Sequence, residues 1–368
     1  MAPAGPASGP DGAPPEAGLR LELARQFVEA AFPGAILVED APPEFLLPSA
    51  EESRDRFLRL QRQTAALGLL PLLRVREGRP VLRLVPRPPP GRWTWPTNLA
   101  LLLATIGTTL LAGYLQSLPL ARCSLLDNAL VAGLQFSLSV LLILGAHEMG
   151  HKIVAVRRGI DASLPYFLPM LPPIGTMGAV IVTRTPAPNR DSLMDLGASG
   201  PLAGFAAAIP VLVYGITHSF LPDPAALECL GRLDTIPDPL LIRWLMESLL
   251  HPASDAVVLG HPVLFAGWIG LVVTSINLLP AGMLDGGHAV RAALGARAHG
   301  VLSYVGLALA VLMGFYPMAI IIALLIRRGH VGPLDDLSPM SPSRQVVGVA
   351  LLVVFILSAV VLRPLVPF

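Results

Sequence analysis

His147-Glu148-Met149-Gly150-His151 closes an apolar run over residues 131–145, and the reading of the chain starts there. Ionisable side chains at membrane depth cost several kcal/mol by order of magnitude, so such residues are functional candidates by default. In a helix, residues four apart share a face. His147 and His151 can therefore reach one metal ion, with the Glu148 carboxylate beside it to handle a proton.

Composition supports a membrane setting independently of the motif. Hydrophobic residues make up 53% of the 368-residue chain, charged residues only 14%, and the mean hydropathy is +0.65. An ordinary soluble domain carries roughly 25% charged residues. The net charge of +1 and the scattered arginines argue against a nucleic-acid binder. Cys123 and Cys229 are too few for a disulfide framework and too far apart for a local metal knuckle. Residues 1–18 are rich in Pro, Ala and Gly, with no apolar core of a cleavable signal peptide, and read as a disordered tail.

Residues 19–85 read as a small soluble α+β domain. Leu21, Ala24, Phe27, Val28 and Ala31 have helical spacing, as do Phe57, Leu60, Thr64 and Leu67. Residues 35–38 suggest a short strand, and residues 69–75 and 80–85 a hairpin. A stiff Pro-rich linker follows over residues 86–97, with Trp93 and Trp95 suited to a membrane interface. From residue 98 to the end the chain reads as a membrane-embedded domain. The expected fold is an all-α polytopic membrane protein with about six transmembrane segments, near 98–117, 128–153, 195–218, 262–294, 301–326 and 345–362. Pro280 should break the fourth, and Gly314 with Pro317 would split the fifth into a re-entrant pair. Residues 167–183 read as a re-entrant hairpin with Gly175-Thr176-Met177-Gly178 at its turn.

Arginines suggest the orientation. Arg83, Arg87 and Arg92 before the first span, and Lys152, Arg157, Arg158, Arg184 and Arg190 after the second, put both segments on the cytoplasmic side of a cell membrane. The N-terminal domain and the opening of the site are then cytoplasmic. The acidic loop over residues 220–261 falls outside, where a disulfide between Cys123 and Cys229 is chemically permitted. Arg327 and Arg328 fit the cytoplasmic side only if the fifth segment is re-entrant.

A catalytic zinc takes three protein ligands and leaves one position open. Asp285 is the candidate third ligand, being the only carboxylate in the apolar stretch over residues 263–290. Gly286 and Gly287 would let another backbone approach it closely. The expected chemistry is hydrolysis with one Zn²⁺ per chain: Glu148 takes a proton from water while the metal polarises a scissile carbonyl. Asn277 is the candidate additional oxyanion or substrate donor, although capping the helix broken at Pro280 is an alternative.

His147-Glu-Met-Gly-His151, Ile174-Gly-Thr-Met-Gly-Ala179, Gly200-Pro-Leu-Ala-Gly204 and Asn277-Leu-Leu-Pro through Leu284-Asp-Gly-Gly287 together resemble the site-2 protease family of intramembrane zinc metalloproteases. The arrangement is similar to bacterial relatives of the plastid proteins called ethylene-dependent gravitropism-deficient and yellow-green. The resemblance implies His147, His151 and Asp285 as zinc ligands and Glu148 as the catalytic base. It also implies membrane-spanning protein substrates, often cut first by another protease. The loop after the third span is too short for the PDZ domain of the stress-response branch.

Backbone carbonyls in an intact helix are shielded, so a substrate bond has to be presented in extended form. Gly175, Thr176, Met177 and Gly178 of the hairpin are candidate substrate-binding residues, pairing with it by strand addition. The bland readings stay beside these. Gly200 and Gly204 suit close helix packing, His288 an ordinary helix position, and His218, His251, His261, His299 and His330 solvated segment ends. A proton- or ion-coupled transporter and a proteolytically silent membrane chaperone are the alternative functions.

Overall fold

The computed structural model describes residues 15–49, 53–89, 91, 95–231, 236–251 and 257–359. The chain divides into two units, Met1–Pro89 with Leu334–Pro339, and Pro90–Pro333 with Met340–Phe368.

In the first unit, apolar residues at helical spacing bury one face of α1 (Pro15–Ala31) and later of α2 (Ser53–Ala66). Between them lie β1 (Ile36–Asp40) and β2 (Pro43–Leu46), and after them β3 (Leu69–Arg76) and β4 (Arg79–Pro86). The sheet order is β1-β2-β4-β3, with every neighbouring pair antiparallel. Glu77 and Gly78, with φ of 51° and 79°, form the tight turn between β3 and β4. Val28, Phe32, Phe57 and Leu60 pack on Phe45, Leu73, Leu82 and Leu84 to make the core. Helix α1 starts at Pro15, inside the expected tail; residues 1–14 of that tail lie outside the described residues. Strand β2, flanked by prolines, has no signal in the sequence reading.

The β3 edge of this sheet is covered by a segment from late in the chain. Leu73 donates its N–H to Leu334 O at 2.9 Å and accepts from Asp336 N at 3.3 Å, forming a parallel bridge with Asp335. Leu334 is 1% exposed within the same core. Asp335 closes its own turn by accepting the N–H groups of Leu337 and Ser338, each at 3.0 Å. This strap lies in the stretch assigned by sequence to the membrane domain. Its partners are 260 residues away, beyond the reach of any local pattern.

The second unit is mostly helical. It runs α3 (Trp95–Arg122), α4 (Ala129–Arg157), β5 (Tyr166–Pro169), β6 (Thr176–Val180), α5 (Arg190–Thr217), α6 (Pro224–Leu230), α7 (Leu240–Leu249), α8 (Pro262–Asn277), α9 (Asp285–Leu312), α10 (Tyr316–Arg328) and α11 (Pro342–Ser358). Among the described residues, α3, α4, α5 and α9 are long and apolar enough to cross a membrane, while α8 and α11 are shorter apolar helices.

The expected 262–294 span is therefore two helices, with residues 278–284 as a loop between α8 and α9. Helix α9 is itself broken at Gly295, where φ 84° and ψ −174° favour glycine. The expected 301–326 segment is a helical hairpin turning at residues 313–315. Its two arms meet one spot: Ser303 and His299 bond Gly282, and a Cβ on Gly282 would touch Leu325 at 3.0 Å.

Close approach of α3 and α4 depends on two facing glycines. A Cβ on Gly113 would lie 2.7 Å from Gly133 O. Polar residues along α3 hold the β5–β6 hairpin: Asn98 donates to Pro165 O at 2.8 Å, Thr108 to Gly175 O at 2.7 Å and Gln116 to Pro173 O at 2.6 Å. Asp195 on α5 takes Arg158 from the end of α4 and Arg344 from α11, the latter at 3.1 Å.

Cys123 and Cys229 form a disulfide. It joins the end of α3 to α6, and the oxidised chain should migrate faster than Cys229→Ser on a non-reducing gel. Equal mobility before and after reduction would show the bond absent from the protein as made.

Candidate metal centre

The buried residues of α4 fall at Ala132, Phe136, Val140, Ile143, Leu144, His147, Glu148, His151 and Ala155, a single stripe at helical spacing. Both histidines and the glutamate thus continue the face that packs into the helix core. They are 3%, 6% and 6% exposed for His147, Glu148 and His151, which excludes simple solvation of three polar groups.

Helix α5 backs this stripe with glycines. A Cβ on Gly200 would lie 2.1 Å from His151 Nε2, and one on Gly204 3.1 Å from His147 Nδ1. Close helix packing was the sequence expectation for this pair; the surfaces they pack against are the imidazole rings themselves. His151 Nδ1–H donates to Leu196 O at 2.9 Å. That bond fixes the neutral tautomer and leaves the Nε2 lone pair facing inward.

Asp285 arrives from the other side. Helix α8 ends at Asn277, the chain loops through Pro280, and α9 begins at Asp285. Gly286 and Gly287 admit the loop backbone: a Cβ on them would lie 2.1 Å from Leu278 O and 2.5 Å from Gly282 O. The close-approaching backbone foreseen from the sequence is the chain's own loop.

The three donors converge. His147 Nε2 lies 3.2 Å from Asp285 Oδ2, His151 Nε2 3.3 Å from Asp285 Oδ1, and the two Nε2 atoms are 3.2 Å apart. Zinc bonds of about 2.0–2.1 Å imply tetrahedron edges of about 3.3–3.4 Å between ligands. All three separations agree with that value within about 0.2 Å. With His151 Nδ1–H spent on Leu196 O, its Nε2 can offer a lone pair toward the other two donors, and a donor set of two imidazoles and a carboxylate fits a divalent ion. It is the one group of three or more His, Cys, Asp or Glu side chains found in metal-binding proximity among the described residues.

Asn277 sends its amide to the same point, Nδ2 lying 3.4 Å from His147 Nε2. Its side chain caps no helix; the C-cap residue of α8 is Leu278. The Glu148 carboxylate accepts the backbone N–H of Ile181, just past β6. That contact brings the hairpin to the site, and sequence offered no signal for it.

The hairpin residues differ in availability. Gly175 O is taken by Thr108, and Thr176 is buried with its hydroxyl bonded to Leu168 O at 2.9 Å. Met177 is 67% exposed, and Gly178 has φ 106° with open space around it. Two of the four therefore shape the hairpin and two face outward.

Several histidines depart from expectation. His261 and His299 are buried rather than solvated, because each bonds backbone at a helix start or a loop. His288 and His330 bond each other at 2.8 Å. His218 and His251 are exposed as expected.

Fold and site define a helical core, with helices long and apolar enough to cross a membrane, around a His147-His151-Asp285 group able to hold a metal ion, with the Glu148 carboxylate at its side. Residues 135–316 match the sequence profile described as Peptidase family M50, a domain of the site-2 protease type. It is similar to "Probable zinc metalloprotease EGY1, chloroplastic" of Arabidopsis thaliana, 35% identical over 238 residues, covering 61% of this chain and 42% of that one. The Oryza sativa subsp. japonica protein of the same name is 31% identical, covering 64% and 41%. "Probable zinc metalloprotease EGY2, chloroplastic" of Arabidopsis thaliana is 28% identical, covering 66% and 45%. The chain thus spans less than half the length of these relatives. No solved structure matches.

Proposed function

We propose that this protein is an intramembrane zinc metalloprotease that hydrolyses peptide bonds within membrane-spanning segments of other proteins. The observation carrying this reading is the His147-His151-Asp285 triangle at zinc-ligand separations, with Glu148 one residue along the same helix. The match of residues 135–316 to the M50 family profile and the printed names of the zinc metalloprotease relatives support it.

His147, His151 and Asp285 would hold one Zn²⁺, whose charge polarises the scissile carbonyl and lowers the pKa of water. Glu148 takes the proton from that water and returns it to the leaving amine. The Ile181 N–H fixes the carboxylate in position for both transfers. Asn277 Nδ2 donates toward the oxygen on which charge develops. Leu196 O keeps His151 in the tautomer that turns its lone pair inward.

The substrate segment has to be unwound, and β6 offers an edge for it. The two-stranded sheet consists of β5, which is next to α3, and β6, which pairs with no second strand among the described residues. Strand addition there would replace backbone hydrogen bonds that the substrate gives up. Gly178→Pro should reduce cleavage at least about tenfold with zinc content unchanged, since proline requires φ near −65° and removes the N–H that bonds Thr176 Oγ1 at 3.0 Å. Unchanged turnover would sink the pairing idea.

Orientation follows from the N-terminal unit together with the arginines. A unit that contains both residues 15–89 and the strap lies on one side of a bilayer, so the chain between them crosses an even number of times. Four crossings satisfy this: α3, α4, α5, and α8 continued by the first arm of α9. The hairpin of α9's second arm and α10 then enters and leaves on the same face. Arg327 and Arg328 accordingly join Arg158 and Arg190 on the cytoplasmic side of a cell membrane, and the disulfide lies outside.

Comparison of membrane-protein fragments in cells carrying the unaltered chain and Asp285→Ala tests the function. Fragments cut inside spanning segments should be present with the first and missing with the second. Identical fragment patterns would overturn proteolysis.

A further inference from the structure

Three histidines outside the metal triangle gather around the start of α9. His330 Nδ1 accepts the Gly332 N–H at 2.8 Å, so the neutral ring carries its proton on Nε2. That Nε2–H donates to His288 Nδ1 at 2.8 Å. His299, whose ring centre lies 5.0 Å from that of His330, donates from Nε2 to Gly282 O at 2.9 Å.

This cluster sits where α9 is weakest. Leu284 at the N-cap supplies no side-chain hydrogen bond, and the first turn is Asp285-Gly286-Gly287. An uncapped turn with two glycines is intrinsically weak, because it lacks a cap's hydrogen bond and its glycines gain backbone freedom when it frays. His288 is the first side chain past the glycines that can be gripped. The grip comes from His330, in the loop after α10. Four residues beyond His330 the chain enters the core of the N-terminal unit at Leu334, which is 1% exposed, followed by Asp335 at 0%.

We propose that His330 is a positioning residue for the Asp285 turn, holding the first side chain past the glycines so that the metal site is firmly kept. This rests on the reading of His147, His151 and Asp285 as ligands. Loss of the grip would leave all three ligands in the chain but allow Asp285 to swing.

Full-length protein in detergent, loaded with Co²⁺, tests this through its visible spectrum and its rate of cobalt loss to a chelator. His330→Ala should release cobalt on the order of tenfold faster, with altered ligand-field bands. His330→Gln, whose amide can donate to His288 and accept from Gly332, should restore both. A native spectrum and release rate in His330→Ala, or no rescue by His330→Gln, would overturn the positioning role. His147→Ala separates the two readings. If the unaltered chain holds no His147-dependent cobalt, the metal site and this proposal both fall; if it does while His330→Ala behaves as native, only the role of His330 falls.

Discussion

Glu148→Gln should abolish peptide hydrolysis while the protein keeps its zinc. The substitution preserves volume and the hydrogen bond from Ile181, and it removes only the ability to take and return a proton. General acid–base groups contribute about 10²–10⁴-fold to rate, so turnover should fall by at least that factor. Zinc content should stay at one per chain, because the ligands on either side in the helix are untouched. Cleavage of a membrane-spanning reporter in liposomes, measured beside zinc by atomic absorption, reads both quantities. Retained cleavage would remove Glu148 from the mechanism; lost zinc would make it a ligand instead.

Gly200→Ala is the second large effect, and it is unusual in adding a single methyl group far from Glu148 in sequence. That methyl would lie 2.1 Å from His151 Nε2, 2.5 Å from Cε1 and 2.6 Å from Cδ2, so the ring has no room to slide past it. His151 cannot rotate away without losing its bond to Leu196 O. Overpacking in tight cores costs about 1–3 kcal/mol even where neighbours can shift. Here the neighbour is a ligand, and zinc affinity should fall by about a hundredfold or more. Gly145→Ala is the control: it lies two residues before His147 on α4, and an added Cβ meets nothing. That change should leave metal binding intact. Equal zinc affinity in both variants would mean that α5 does not press on the His151 ring in the protein.

The proposed ligand set was legible because each of its residues is out of keeping with its apolar surroundings. Histidines, a glutamate and an aspartate inside apolar segments cost too much to be there without a partner, and the four-residue spacing puts the histidines on one face. The break after α8 was legible from Pro280, and the β3–β4 hairpin from its strands. What the sequence could not show is contact between remote stretches. Leu196 O, Ile181 N–H and the strap partner Leu73 act through backbone atoms, which every residue type carries. Gly200 read as a packing residue, but nothing local says that an imidazole is what it packs against. His288 and His330 looked ordinary for a related reason: each is unremarkable alone, and only the hairpin of α9 and α10 brings them together. The split of the fifth expected segment was legible from Gly314 and Pro317, and the chain turns at residues 313–315, while periodicity alone reads the same whether such a stretch crosses or turns back.

The strap also sets a timetable for making the protein. Leu334 is translated 260 residues after Arg74, whose neighbour Leu73 it pairs with. At roughly 5–20 residues per second, about ten to fifty seconds pass before that partner leaves the ribosome. Throughout that interval the nascent sheet has an open β3 edge, the kind of surface that recruits other chains. Its closure waits until the helices through α10 have been made, so a sheet begun before them is completed only after them.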